Sequence, residues 1–189
     1  MVLKRYAFLQ NLRMCVYNIK CNKLKEVLTT ILFFISFFSF GQEKWNKHNT
    51  ENYSISYPNS WELEAPGREE RDFLIFAKLE EDDEFHENIS LLVLEVDEEF
   101  ELNSYVKLTE ELIEKNVKEF KIFNNIYEKE KQRHIMVWSG SVSNKHYMYK
   151  QYFFLNNKKL YVLRLITLSK TYDRYELIGS KILNSFQLN

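Results

Sequence analysis

Downstream of residue 41 the chain contains no cysteine; both of its cysteines, Cys15 and Cys21, lie before that point. This excludes a disulfide framework, a thiolate nucleophile and a cysteine-ligated metal from the larger part of the chain. Glycine and proline are almost as scarce, with three Gly and two Pro after residue 41. So few breakers leave no Pro/Gly linker, no phosphate-cradling glycine loop and no dinucleotide fingerprint. An internal repeat is also missing, so nothing divides the chain into two domains. Basic excess is absent as well. Residues 1–41 hold six Lys/Arg and one Glu, so 20 of 26 basic and 26 of 27 acidic side chains remain downstream, a formal net charge of −6. A nucleic-acid binder needs a basic stripe to meet phosphates, and this balance argues against that class.

Long apolar runs are missing too, with one exception. Val27 to Phe40 is an uninterrupted stretch of 14 apolar, Ser or Thr residues. A bilayer-spanning helix needs about 20 apolar residues, whereas a signal-peptide core needs about 7–15. Lys20, Lys23 and Lys25 precede the run, and Ser39-Phe40-Gly41 places small residues before a cut after Gly41. This basic–greasy–small layout predicts a secretory signal over residues 1–41, with Met14 as an alternative start. A retained signal-anchor is the alternative, and it would leave the chain on the inner membrane. Cys15 and Cys21 precede the run, so neither is a lipoprotein attachment site. Cleavage would leave Gln42–Asn189, 148 residues with no stable membrane span, enough for one domain with a real core, periplasmic or extracellular.

Strand patterns dominate what remains. "YSISYP" (Tyr53–Pro58) alternates and stops at a proline; "NSWELEAPG" turns, runs briefly and turns again. Asp72–Leu79 and Asn88–Val96 are the next strands, joined by the acidic "EEDDEFHE" connection. "KIFNNIYEKE" follows, then Arg133–Ser143, Lys145–Leu155 and Lys158–Leu168, whose short polar joints predict an antiparallel meander. In Asn88–Val96, Ile89, Leu91 and Val93 oppose Leu92, Leu94 and Val96. Both faces are apolar, which a sheet with one wet face would not show. Two helices are available as cover. Asn103–Phe120 carries Tyr105, Leu108 and Leu112 on one stripe, widened by Val106, Ile113, Val117 and Phe120, with Asn103 or Ser104 as cap. Ser169–Phe186 carries Tyr172, Tyr175, Ile178, Ile182 and Phe186, with Ser169 or Thr171 as cap. The expected class is α+β: an α/β/α sandwich with a mainly antiparallel sheet and a helix on each face.

The stretch "YSISYPNSW" (Tyr53–Trp61) resembles the Y-x-I-x-Y-P-x-x-W opening of the PsbP-like and DcrB-like family. The closing "ILNSF" is similar to that family's last helix, which ends in a Ser-Phe pair. The element order between them matches, so the resemblance covers roughly Glu51 to Phe186. It implies the same α/β/α sandwich and a non-enzymatic binding or assembly role. Unlike the family's lipoproteins, this chain has no cysteine after the greasy run. The resemblance implies no functional residue and no cofactor.

Chemistry-bearing patterns are weak. The acidic run Glu80–Glu84 with Glu87 lacks the glycine and ligand spacing of a calcium loop and reads as a solvated hairpin tip. His48, His86, His134 and His146 are not spaced as metal pairs; the residue four after His86 is Ser90. If the turn lies around Asn144, His134 and His146 sit at different heights on adjacent strands. "WSGSVS" (Trp138–Ser143) lacks the strand-to-helix Gly-x-Ser-x-Gly elbow, and Gly140 reads as a bulge or a close packing point. No catalytic or metal residue is therefore assigned. The aromatic side chains are the one handle on a ligand, with Trp61, Trp138, Tyr147 and Tyr149 as candidate binding residues. Tyr152, Phe153 and Phe154 are the wider set. The sequence thus points to an exported, non-catalytic domain that binds an unknown protein partner in the cell envelope. The alternative is a carrier of a lipid or glycan in an aromatic pocket.

Overall fold

The computed structural model describes residues 44–79 and 83–189. The run Val27–Phe40 and the expected signal lie outside the described residues. In chain order the elements are β1 (Trp45–Asn49), β2 (Tyr53–Pro58), β3 (Trp61–Glu64), β4 (Phe73–Ala77), β5 (Asn88–Glu95), α1 (Leu102–Asn116), β6 (Lys118–Glu128), β7 (Arg133–Val142), β8 (Lys145–Asn156), β9 (Lys159–Leu168), α2 (Tyr172–Asn184) and β10 (Gln187–Leu188). A one-turn 3₁₀ segment, Lys129–Lys131, joins β6 to β7.

Seven strands form one sheet in the order β3-β4-β5-β9-β8-β7-β6, and every neighbouring pair is antiparallel. The expected meander is its β7-β8-β9 part. Its two tight turns have left-handed central residues, Ser143 and Asn144 (φ 50° and 65°) and Asn157 and Lys158 (φ 50° and 57°). Two-residue turns of this hand match the twist of the strands they join, which fixes the register. Tyr53–Pro58 does not enter this sheet. It is the middle strand of a second, three-stranded sheet, β1-β2-β10. Neither partner was legible: β1 exposes nearly all its residues, and β10 is two residues long.

Strand β9 lies in the middle of the seven and is buried along almost its whole length. Its alternate residues enter two separate hydrophobic clusters. Leu160 and Val162 pack with Met136, Trp138, Tyr149, Phe153 and Val106 of α1. Tyr161, Leu163 and Leu165 pack with Phe73, Ile75, Ile89 and Leu91 and with Tyr175, Ile182 and Leu183 of α2. The fold is thus α+β, with two helices and an antiparallel sheet among the described residues.

Both helices are shorter than the apolar spacing suggested. α1 ends at Asn116 rather than Phe120, because Val117 is already extended (φ −105°, ψ 123°) and Lys118 pairs with Ser141. Val117 and Phe120 fit a helical stripe, but Phe120 and Ile122 also alternate as a strand does, and the pairing with β7 wins. Neither Asn103 nor Ser104 caps α1. Glu101 occupies that position, and the Ser104 hydroxyl donates to its carboxylate at 2.9 Å. α2 runs only from Tyr172 to Asn184, with Thr171 at its start; that hydroxyl bonds Glu87 instead of a helix N–H. Two glycines permit close approach. A Cβ on Gly140 would sit 2.3 Å from Val117 Cγ1, and one on Gly179 would sit 2.6 Å from Leu165 Cδ2. Gly140 is therefore a packing point where α1 hands over to β6.

The "NSF" ending has a structural task. Ser185 Oγ accepts the Ser56 N–H at 2.9 Å and shares its proton between the carbonyls of Ser56 and Ile182, at 3.0 and 2.7 Å. It thereby extends the ladder that β10 makes with Tyr53 and Ser54 of β2. Phe186 then stacks on Tyr53, ring centroids 5.5 Å apart, and touches Phe154 at 5.3 Å. Ser185→Ala would strand the half-buried Ser56 N–H, so we expect a loss of about 1 kcal/mol in urea denaturation. An unchanged midpoint would mean that water replaces the hydroxyl at no cost.

Candidate binding site

The four aromatic candidates do not form one site. Trp61 in β3 is buried against Tyr175 of α2, edge to face at 6.1 Å, in the α2 cluster. Trp138 and Tyr149 lie opposite each other on β7 and β8 and stack at 3.8 Å, nearly parallel. Trp138 Nε1 donates to Gln151 Oε1 at 2.6 Å. Both rings are core, in the α1 cluster. Tyr147, half-buried, continues that row and meets Phe85 edge-on at 5.1 Å. The structure therefore unites Trp138, Tyr147 and Tyr149 and leaves Trp61 in the other cluster. Tyr152, Phe153 and Phe154 are all buried in the two clusters.

Tyr147 and Tyr149 open onto a cavity of about 380 Å³, which sequence reasoning missed. Its floor is a cross-strand row: Leu74 of β4 pairs with Ser90 of β5, and Ser90 pairs with Arg164 of β9. These residues share a sheet face with Val162 and Ile166, which border the α1 cluster. Over the cavity lies the β3–β4 turn, where Arg71 N–H donates to Arg68 O at 3.1 Å. The two central residues of that turn, Glu69 and Glu70, are left-handed (φ 54° and 60°) without being glycine. Such conformations cost about 1–2 kcal/mol each. The turn is thus held in an unfavourable shape that places Arg71 at the cavity.

Two polar groups of the floor lack partners. Ser90 is 2% exposed and its Oγ makes no hydrogen bond; Arg164 Nε is likewise enclosed and unbonded. Buried polar groups are almost always satisfied; His134, Thr167 and Ser169 also enclose an unbonded polar atom, but Ser90 and Arg164 are the two that line one cavity together. Arg164 also has no ion pair within 4 Å among the described residues, and the same holds for Arg71. Burial, and then the repulsion of Arg71, lowers the pKa of Arg164 from its ordinary value; Tyr149 and Glu69 act the other way. Arg68, by contrast, is tied to Glu64 at 3.1 Å.

Arg133 in β7 shows what a satisfied buried arginine looks like in this fold. It is 4% exposed, meets Glu128 at 2.6 Å and lies 3.9 Å over the Tyr152 ring.

The remaining chemical candidates separate. Glu80, Glu81 and Asp82 lie outside the described residues. Glu87 is not at a solvated tip: it is buried and accepts from the Thr171 hydroxyl. Among the described residues no group of three His, Cys, Asp or Glu side chains is placed to hold a metal. His48 sits against Tyr53 and Phe73, and His86 Nδ1 lies 3.1 Å from Ala77 O. His134 bonds Asn125, and burial lowers its pKa. His134 and His146 do fall at different heights, opposite Phe153 and Ser141. Ser141 donates to Glu119, with His146 Nδ1 3.3 Å away. The serine, not the histidine, is the middle member, so this exposed trio is not ordered as a nucleophile–base–acid relay.

No protein-family model matches the chain, and no curated protein does. Solved structures do. The chain is similar to the cyanobacterial PsbP protein of Synechocystis, with TM-score 0.56 and 15% identity over 80% of this chain and 96% of that one. It is similar to LpqN of Mycobacterium tuberculosis, involved in cell envelope biogenesis, with TM-score 0.56 and 14% identity over 78% and 91%. Yeast Ran-binding protein Mog1p matches with TM-score 0.54 and 10% identity over 78% and 96%. The chain has the PsbP-like fold. At these identities the likeness shows the fold and carries no function with it. No described helix is long and apolar enough to cross a membrane.

The contrast between the two arginines is testable at Arg133. Arg133→Met keeps the aliphatic packing but removes the Glu128 bond and the contact with Tyr152. We expect a loss of about 1–2 kcal/mol in equilibrium unfolding. No loss would mean that the pair only balances its own desolvation.

Proposed function

We propose that the chain is an exported, non-catalytic binding domain whose partner is a protein of the cell envelope. The signal is residues 1–41 and the working part is a single domain, residues 42–189. The observation that carries this reading is one of the two edges of the seven-stranded sheet. β3 is one edge and β6 the other, and β6 presents Phe123, Ile126 and Tyr127 at 53%, 50% and 48% exposure. Edge strands are normally blunted by charge, bulges or cover; Lys118, Glu119 and Lys121 and two register breaks do this in the first half of β6, whereas its apolar second half is left as a surface for another chain. The fold neighbours support the reading, since LpqN is involved in cell envelope biogenesis and Mog1p is a Ran-binding protein. The arrangement follows as an α/β/α sandwich, supported by the opposite parities with which β9 meets α1 and α2.

A second reading, a small-ligand carrier, is favoured by the cavity that Tyr147 and Tyr149 share with Arg164. It narrows the expected lipid or glycan site to two of the four aromatic residues.

Native mass spectrometry of the C-terminally tagged chain, purified gently from its own cells, tests the first reading. The expected species starts at Gln42 and carries one protein partner, which the double change Phe123→Glu, Ile126→Glu removes. A chain starting at residue 1 would contradict export by a cleaved signal. A partner retained by the double variant would contradict the β6 edge.

A further inference from the structure

We propose that the cavity beneath the Arg68–Arg71 turn binds a small organic acid, its carboxylate or phosphoryl group held by Arg164, Arg71 and the Ser90 hydroxyl. This rests on the carrier reading and specifies its ligand; it is independent of the β6 edge. Arg164 is the only charged residue in the inner run Leu160–Leu168 of the central strand. Its cross-strand neighbour Ser90 has an enclosed Oγ with no partner, and Arg164 Nε is in the same state. A water could satisfy the serine, but it would leave the guanidinium charge unbalanced. A second guanidinium, Arg71, lines the same cavity and lowers the proton affinity of the first. Two like charges converging on a low-dielectric cavity are unfavourable until an anion sits between them.

Glu69 also lines the cavity and acts on Arg164, but it makes no ion pair with it, and Arg68 is engaged by Glu64. Among the described residues, the balance of the unpaired lining groups is positive. Guanidinium groups suit carboxylate and phosphoryl oxygens because their N–H donors match in pairs. The size, about 380 Å³, suits a small molecule rather than a protein segment. Tyr147, Tyr149 and Phe85 supply an aromatic wall for an apolar or planar body beside the anionic head.

The test is isothermal titration and thermal unfolding of the purified full chain with phenyl phosphate, benzoate, inorganic phosphate and neutral benzyl alcohol. Phenyl phosphate or benzoate should raise Tm and bind with a sub-millimolar Kd. Arg71→Gln, a half-buried position at the end of a surface turn and outside both hydrophobic clusters, should weaken that binding at least tenfold. Arg164→Gln should weaken it further. Benzyl alcohol binding as well as the acids would overturn the anion assignment and leave the carrier reading standing. Inorganic phosphate binding as tightly as phenyl phosphate would overturn the organic body. If Arg71→Gln binds the acids like the parent, the anion assignment fails and the carrier reading stands; if no compound binds, both fail.

Discussion

The structure depends on a single strand having no wet side. β9 has three strands to its left and three to its right, and its two residue parities feed two different hydrophobic clusters. Each cluster takes one helix. Removing apolar character from either parity would strip a helix of its contact surface, and burial of apolar area is the largest favourable contribution to folding. The same constraint makes Arg164 conspicuous. A charge in such a strand carries a desolvation cost, and among the described residues no ion pair offsets it as Glu128 does for Arg133.

Much of this architecture was legible in the chain itself. The apolar character of both parities in "NISLLVLEV" and "KKLYVLRLITL" pointed to a sheet covered on both sides. The polar joints at Asn144 and Asn157 gave the meander its turns. What failed was local. Val117 and Phe120 satisfy a helical stripe and a strand equally, and tertiary pairing with Ser141 decided for the strand. β1 has no apolar period to read, because it is held by backbone pairing to β2 and little else. Glu87 looked like part of a solvated acidic run, but its side chain turns inward to Thr171.

The site was less legible than the fold, for a physical reason. Aromatic residues in strands are ordinary core material, so their abundance could not separate Trp61 and Trp138, which pack, from Tyr147, which opens onto a cavity. The informative signal was polar and small: one arginine inside "LYVLRLITL" and one serine inside "NISLLVLEV". Their pairing across β5 and β9 depends on register, and Arg71 reaches the cavity only through a turn with two left-handed glutamates. No single stretch of sequence contains that arrangement.

A PsbP-like fold is a scaffold whose function lies in the surfaces added to it. In this chain two such features stand out from the shared core: the exposed apolar side chains on the edge strand β6 and a cationic cavity at β9. The second bears most directly on the account, because it explains why a charge sits in the strand that organises everything else. Urea denaturation of Arg164→Met, with no ligand present, tests it. If the arginine is kept for binding, the apolar replacement leaves the midpoint unchanged or raises it, since a desolvated charge is removed and nothing is orphaned. A loss of about 1 kcal/mol or more would contradict this and make Arg164 a structural residue.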